Sequence, residues 1–82
     1  MNSLYEKQVG YTLRAIRKKQ GYTQDQIAAQ LQLYGCNMSR SALAKIETGH
    51  RHIYIDEVKA LCIIFNISSE EILVDASVSE EK

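Results

Sequence analysis

Apolar residues recur along the chain at the spacing of α-helices, and the signals for strands are weak. Val9, Leu13 and Ile16 follow an i, i+4, i+7 pattern and predict a first helix over about residues 4–20. Gly21 follows this stripe directly and supplies the residue type that most often ends a helix. The chain contains no proline that would interrupt such a helix.

Capping residues precede three of the remaining apolar stripes. Ser and Thr side chains accept hydrogen bonds from the first free amides of a helix, so they favour helix starts. On this basis we predict helices from Thr23 to about residue 33, over about 39–48, and a short one after Ser68. A further helix from about Ile55 to Phe65 is predicted by the apolar face of Val58, Leu61 and Phe65, although Tyr54 stands where a small polar cap is usual. The chain is therefore predicted to be an all-α, compact five-helix domain over residues 1–74, followed by a polar tail at 75–82.

The length of 82 residues leaves room for one domain with a small core. A dimer partner would add to the stability of such a core. No apolar run approaches the roughly 20 residues that span a bilayer, and the start lacks the basic and apolar regions of a signal peptide. We therefore expect a cytoplasmic protein without a membrane partner.

The candidates for metal or redox chemistry are few. Cys36 and Cys62 form no C-x-x-C pair; Cys62 is predicted to lie in the core and Cys36 in a polar turn. His50 and His52 alone do not have the spacing of a metal site, and no phosphate loop or nucleophile motif occurs. We expect no disulfide, no metal, no cofactor and no enzymatic activity.

The formal net charge of zero hides an uneven distribution of charge. Residues 1–54 carry eight basic and three acidic residues, which gives +5, whereas residues 55–82 carry two and seven, which gives −5. A basic front of this kind attracts polyanions. Two solvated faces without any partner would produce the same pattern, so charge alone leaves both interpretations open.

Two motifs resemble the Cro and phage-repressor helix-turn-helix family, and the likeness extends over about residues 5–74. They are Arg17-x3-Gly21-Tyr22-Thr23-Gln24-x2-Ile27-Ala28 and Ser39-Arg40-Ser41-x-Leu43-x-Lys45-Ile46-Glu47-x-Gly49. The resemblance implies a lambda-repressor-like domain that binds double-stranded DNA with its third helix in the major groove. It also implies a structural, buried ion pair between Arg17 and Glu47. The segment 32–38, between the second and third helices, is about five residues longer than is usual in the family.

The outward face of the third helix is the candidate for reading bases. If Leu43 and Ile46 point to the core, the opposite face presents Arg40, Ser41, Ala44 and Lys45. Arg40 can donate two hydrogen bonds to guanine, Ala44 can contact a thymine methyl group, and Ser41 and Lys45 can hydrogen-bond. Without a DNA partner, the same side chains would form an ordinary solvated helix surface.

Phosphate contacts are expected from residues around the ends of the second and third helices. Helix starts expose amides that attract anions, and the segment after the third helix carries further cationic or polar groups. The candidates are Thr23, Gln24, Ser39, His50 and Arg51.

The sequence favours a DNA-binding transcription regulator, expected to be a repressor that acts as a homodimer. The candidate dimer patch consists of Ile53, Ile55, Ile63, Ile64, Leu73 and Val74, although several of these residues could simply complete the core. The alternative is a protein-interaction module on the same fold, such as an antitoxin or adaptor with a toxin as its partner. A restriction-modification controller is a further possibility within DNA binding.

Overall fold

The structure is a computed structural model that describes residues 3–73, with side chains from residue 5 onward. Its helices are α1 (Ser3–Lys19), α2 (Gln24–Leu33), α3 (Arg40–Glu47) and α4 (Ile55–Phe65), followed by a short helix, α5, over residues 69–73. The predicted all-α, five-helix fold is confirmed. The predicted domain end at Val74 and the tail at 75–82 lie outside the described residues.

Local capping explains why α2 and α3 begin where they do. The hydroxyl of Thr23 accepts a hydrogen bond from the amide of Gln26 at 3.1 Å, and the Gln26 side chain accepts one from the Thr23 amide at 2.8 Å. The Ser39 hydroxyl accepts one from the Ala42 amide at 3.0 Å. Both caps use amides that have no partner inside the helix, which fixes the start of each helix.

The start of α4 lacks a small polar cap, because Tyr54 occupies that position. The Asp56 carboxylate accepts a hydrogen bond from the Glu57 amide at 3.0 Å instead, and the Glu57 carboxylate accepts one from the Tyr54 amide at 3.0 Å. The helix ends at Asn66, whose φ of 59° is left-handed, a conformation that asparagine tolerates better than most residues.

The core lies where α1 and α2 pack against α3 and where α2 meets α4. Its largest fully buried side chains are Leu13, Ile27, Leu31, Met38, Leu43, Ile46, Leu61 and Ile72. On α1 the predicted stripe is buried at Val9 and Leu13, whereas Ile16 is only half-buried.

The long connection between α2 and α3 contributes to this core. Cys36 and Met38 are 6% and 1% exposed, and the Gln32 side chain donates a hydrogen bond to the Met38 carbonyl at 2.6 Å. The expectation that Cys36 lies in a polar turn was therefore wrong, because this turn folds back over the apolar interior. Cys62, expected in the core, is half-buried, and both thiols are free.

A glycine allows α1 and α3 to approach each other closely. A Cβ atom added at Gly10 would lie 2.2 Å from the Ile46 carbonyl oxygen and 2.8 Å from that of Glu47. Both distances are shorter than any ordinary van der Waals contact, so no side chain fits at this crossing. The absence of a side chain at residue 10 therefore sets how α3 lies on α1.

Candidate nucleic-acid interface

Helix α3 turns one face to the core and the other to solvent. Leu43 and Ile46 are buried, whereas Arg40, Ser41 and Lys45 are exposed. Three of the four residues predicted to contact bases are thus free to meet a partner. The fourth, Ala44, is half-buried and therefore less accessible than the other three.

A buried ion pair anchors α3 to α1. The Arg17 Nε atom lies 2.7 Å from Glu47 Oε2, and Nη2 lies 3.0 Å from Oε1. The two side chains are only 9% and 2% exposed. The third guanidinium nitrogen, Nη1, donates to the Tyr22 carbonyl at 2.8 Å, so the buried charge has several partners. This pair orients the exposed face of α3.

The start of α2 is tied to the same carboxylate. The side-chain amide of Gln24 donates a hydrogen bond to Glu47 Oε1 at 3.0 Å, and Gln24 is half-buried. Its carbonyl oxygen and second amide hydrogen have no partner among the described residues. The sequence predicted a phosphate contact for Gln24 and did not predict this bond. Thr23 and Ser39, the other predicted phosphate ligands at helix starts, are exposed.

Arg51 is held by contacts within the protein. Its guanidinium lies 3.1 and 3.2 Å from the two carboxylate oxygens of Glu57 and donates to the His52 carbonyl at 2.8 Å. Its Cζ atom lies 5.5 Å from the centre of the Tyr54 ring. The hydrogen bonds that Arg51 donates to the Glu57 carboxylate raise the pKa of Arg51 above its ordinary value. A phosphate predicted to bind Arg51 would have to share it with Glu57.

The histidines near the end of α3 differ in their surroundings. His50, a predicted phosphate ligand, is exposed, and its Nδ1 atom lies 2.9 Å from the Thr48 hydroxyl. His52 contacts the carboxylate of Glu6 on α1 instead. Within residues 3–73, no group of three or more histidine, cysteine or acidic side chains is placed to hold a metal ion.

Two basic residues that the sequence analysis did not single out lie beside α3. Arg14 and Lys18 line an open groove with Thr23, Gln24 and Arg40, with a volume of about 740 Å³. Their i, i+4 spacing on α1 was visible in the sequence. Only the packing of α1 against α3 shows that these two side chains line the same groove as Arg40.

None of the helices within residues 3–73 combines the length and the hydrophobicity needed to cross a lipid bilayer.

The successive helices α2 and α3, with one face of α3 buried and the other free, define a helix-turn-helix domain. The Helix-turn-helix family model HTH_3 matches residues 13–72, which is most of the chain. The chain belongs to this family of DNA-binding regulators, which are not enzymes. The predicted resemblance to the Cro and phage-repressor type is confirmed.

Two solved structures share the fold. The DNA-binding domain of BldD is 27% identical, with a TM-score of 0.74 over 89% of this chain and 99% of that one. The restriction-modification controller protein C.AhdI from Aeromonas hydrophila is 22% identical, with a TM-score of 0.72 over 82% of this chain and 94% of that one. Together they confirm the lambda-repressor-like fold. Among curated proteins, no sequence matches the chain significantly.

Proposed function

We propose that this protein is a transcription regulator that binds double-stranded DNA in the cytoplasm by inserting the outward face of α3 into the major groove. The observation that carries the proposal is the division of α3, which buries Leu43 and Ile46 and exposes Arg40, Ser41 and Lys45. A major groove is about 12 Å wide and admits one helix with its side chains. The structural likeness to a domain named for DNA binding supports this function.

The exposed side chains supply the chemistry of base recognition. Arg40, at the first turn of α3, presents a guanidinium whose two parallel donors suit O6 and N7 of guanine. Ser41 donates or accepts, and Lys45, one turn further along, reaches a guanine or a phosphate. Ala44 is small and partly covered, so it lets the helix approach the groove floor and contact a thymine methyl group.

Phosphate contacts would set the position of the protein without reading sequence. Thr23 and Gln24 lie at the start of α2, and Ser39 lies at the start of α3, where free amides attract anions. His50 is exposed beyond the end of α3. Arg51 takes part only if a phosphate shares its guanidinium with Glu57.

We further propose that the protein acts as a homodimer. One helix reads only a few base pairs, and a two-fold dimer would place two copies of α3 about 34 Å apart, one turn of the duplex. Ile55 and Ile63 of the predicted patch are 72% and 60% exposed on α4, whereas Ile53, Ile64 and Leu73 are half-buried. A dimer seated on a promoter would exclude other proteins from the same groove, so we propose repression as its effect.

Selection of binding sites by the purified protein from a pool of random DNA duplexes tests this function. We expect enrichment of one motif arranged as two inverted half-sites, with centres about one helical turn apart. Enrichment of a single half-site would contradict the dimer and leave DNA reading in place. No enrichment at low salt, from a sample whose circular dichroism shows the helical fold, would contradict the function itself.

A further inference from the structure

The groove beside α3 has walls from three elements. The last turns of α1 provide Arg14 and Lys18, the start of α2 provides Thr23 and Gln24, and the first residue of α3 provides Arg40. The groove is open to solvent and holds about 740 Å³. It adjoins the face of α3 that is proposed to enter the DNA.

The cations of this groove are free to bind a partner. Arg14, Lys18 and Arg40 are exposed, and none of them forms an ion pair or side-chain hydrogen bond among residues 5–73. Arg17 also lines the groove, but Glu47 neutralises its charge. Asp25 is the one acidic side chain in the lining. The unpaired charge of the groove is therefore positive.

The spacing of the cations indicates an extended anion. Arg14 and Lys18 are four residues apart, which places them about 6 Å apart along the axis of α1. Arg40, the first residue of α3, lines the same groove and belongs to the helix that is proposed to read the bases. A single small anion would meet only one of the two α1 cations at close range, whereas successive phosphates of a nucleic-acid strand running along the groove would meet both.

We propose that this groove holds the phosphodiester backbone of one DNA strand, with Arg14 and Lys18 as phosphate ligands. The inference rests on the proposed function and adds α1 to the DNA-contacting surface. Contacts of this kind carry no sequence information, and each releases about one counterion from the duplex. They fix how deeply α3 can enter the major groove.

The test measures the affinity of Arg14→Gln, Lys18→Gln and Lys19→Gln for the selected duplex and for a random duplex at several salt concentrations. Lys19 is the matched control, because it is exposed on the same turn of α1 but does not line the groove. We expect each groove variant to bind both duplexes more weakly and to reduce the slope of log K against log salt by about 1. Between about 50 and about 200 mM salt, the wild type should then lose roughly 3.5-fold more affinity than either variant.

The outcomes separate this inference from the function on which it rests. Suppose that Lys18→Gln has the same affinity and salt dependence as Lys19→Gln, and that Arg14→Gln has those of the wild type. The groove then does not hold the DNA backbone, although the proposed DNA binding is unaffected. A loss confined to the selected duplex would also overturn the inference, because it would make these residues base readers. If the wild type binds no duplex, the proposed function fails and the groove assignment fails with it. Circular dichroism of each variant checks that the fold is intact.

Discussion

The guanidinium of Arg17 and the carboxylate of Glu47 join the end of α1 to the end of α3 through hydrogen bonds of 2.7 and 3.0 Å. Gln24, the first residue of α2, donates to the same carboxylate at 3.0 Å. Three helix ends therefore meet at one buried acidic side chain. Since α3 is the proposed reading helix, this junction sets the angle at which Arg40 and its neighbours face the DNA.

Glu47→Ala should damage folding before it damages DNA reading. It leaves the guanidinium of Arg17 buried without its carboxylate and removes the acceptor of Gln24. Breaking one side of a buried pair costs about 3–5 kcal/mol, so the free energy of unfolding in urea should fall by that amount. Arg40→Ala, at an exposed position without a partner, is the control and should change it by less than about 0.5 kcal/mol. A Glu47→Ala protein of unchanged stability that has lost DNA binding would contradict this prediction and would show that the pair orients α3 without stabilising the fold.

Gly10→Ala should destabilise the protein even though alanine favours helices. At an unobstructed helical position this change raises stability by up to about 1 kcal/mol. Here the new Cβ would lie 2.2 Å from the carbonyl oxygen of Ile46, so α1 and α3 must separate. We expect a net loss of about 1–3 kcal/mol in urea denaturation. The exposed position 15 offers a control, since Ala15→Gly should show only the propensity effect. A gain in stability for Gly10→Ala would mean that the crossing adjusts freely.

Local signals predicted much of the fold. Thr23 and Ser39 could be identified as caps because a cap acts on amides two or three residues away. The three-residue spacing of Leu43 and Ile46 identified the buried face of α3 and hence its exposed face. The outward positions of Arg40, Ser41 and Lys45 follow from that helical spacing alone.

Features that depend on contacts between distant segments could not be predicted in this way. Gly10 matters because α3 passes over it, and Cys36 is buried because the turn folds back on the core. The bond from Gln24 to Glu47 spans 23 residues, and no local pattern signals it. The pairing of Arg51 with Glu57 spans only six residues, but it joins a loop residue to the first turn of α4, and no helical spacing signals such a contact.

The two thiols should react at different rates. Cys36 is 6% exposed and Cys62 is half-buried, so an alkylating reagent should modify Cys62 first in the native protein. Burial raises the pKa of both thiols, and nearby carboxylates raise it further. A raised pKa lowers the thiolate fraction at neutral pH, so both reactions should be slow at pH 7 and faster at about pH 9. Peptide mass spectrometry measures the extent of alkylation at each cysteine over time. In denaturant both should react alike, and a native Cys36 that reacts first would contradict its burial.

Arg40→Ala should weaken binding to the selected duplex by about 1–3 kcal/mol while leaving the fold intact. The reason is the loss of two hydrogen bonds to one guanine, which an alanine cannot replace. Binding to a random duplex should change much less, and titrations with both duplexes measure the difference. Arg40 also borders the groove of Arg14 and Lys18, where a phosphate contact is the alternative to base reading. An equal loss on both duplexes would make Arg40 a phosphate ligand.

Ile63→Asp should dissociate the proposed homodimer without unfolding the protein. Ile55 and Ile63 are eight residues apart on α4 and 72% and 60% exposed, so a carboxylate there would meet the apolar surface of the second copy. Sedimentation equilibrium should show a monomer, and the affinity for a duplex with two half-sites should fall to that for one half-site. Leu33→Asp is the matched control, because Leu33 is 80% exposed but ends α2 rather than lying on α4. If this control dissociates the protein equally, or if the wild type remains a monomer on DNA, α4 does not form the dimer contact.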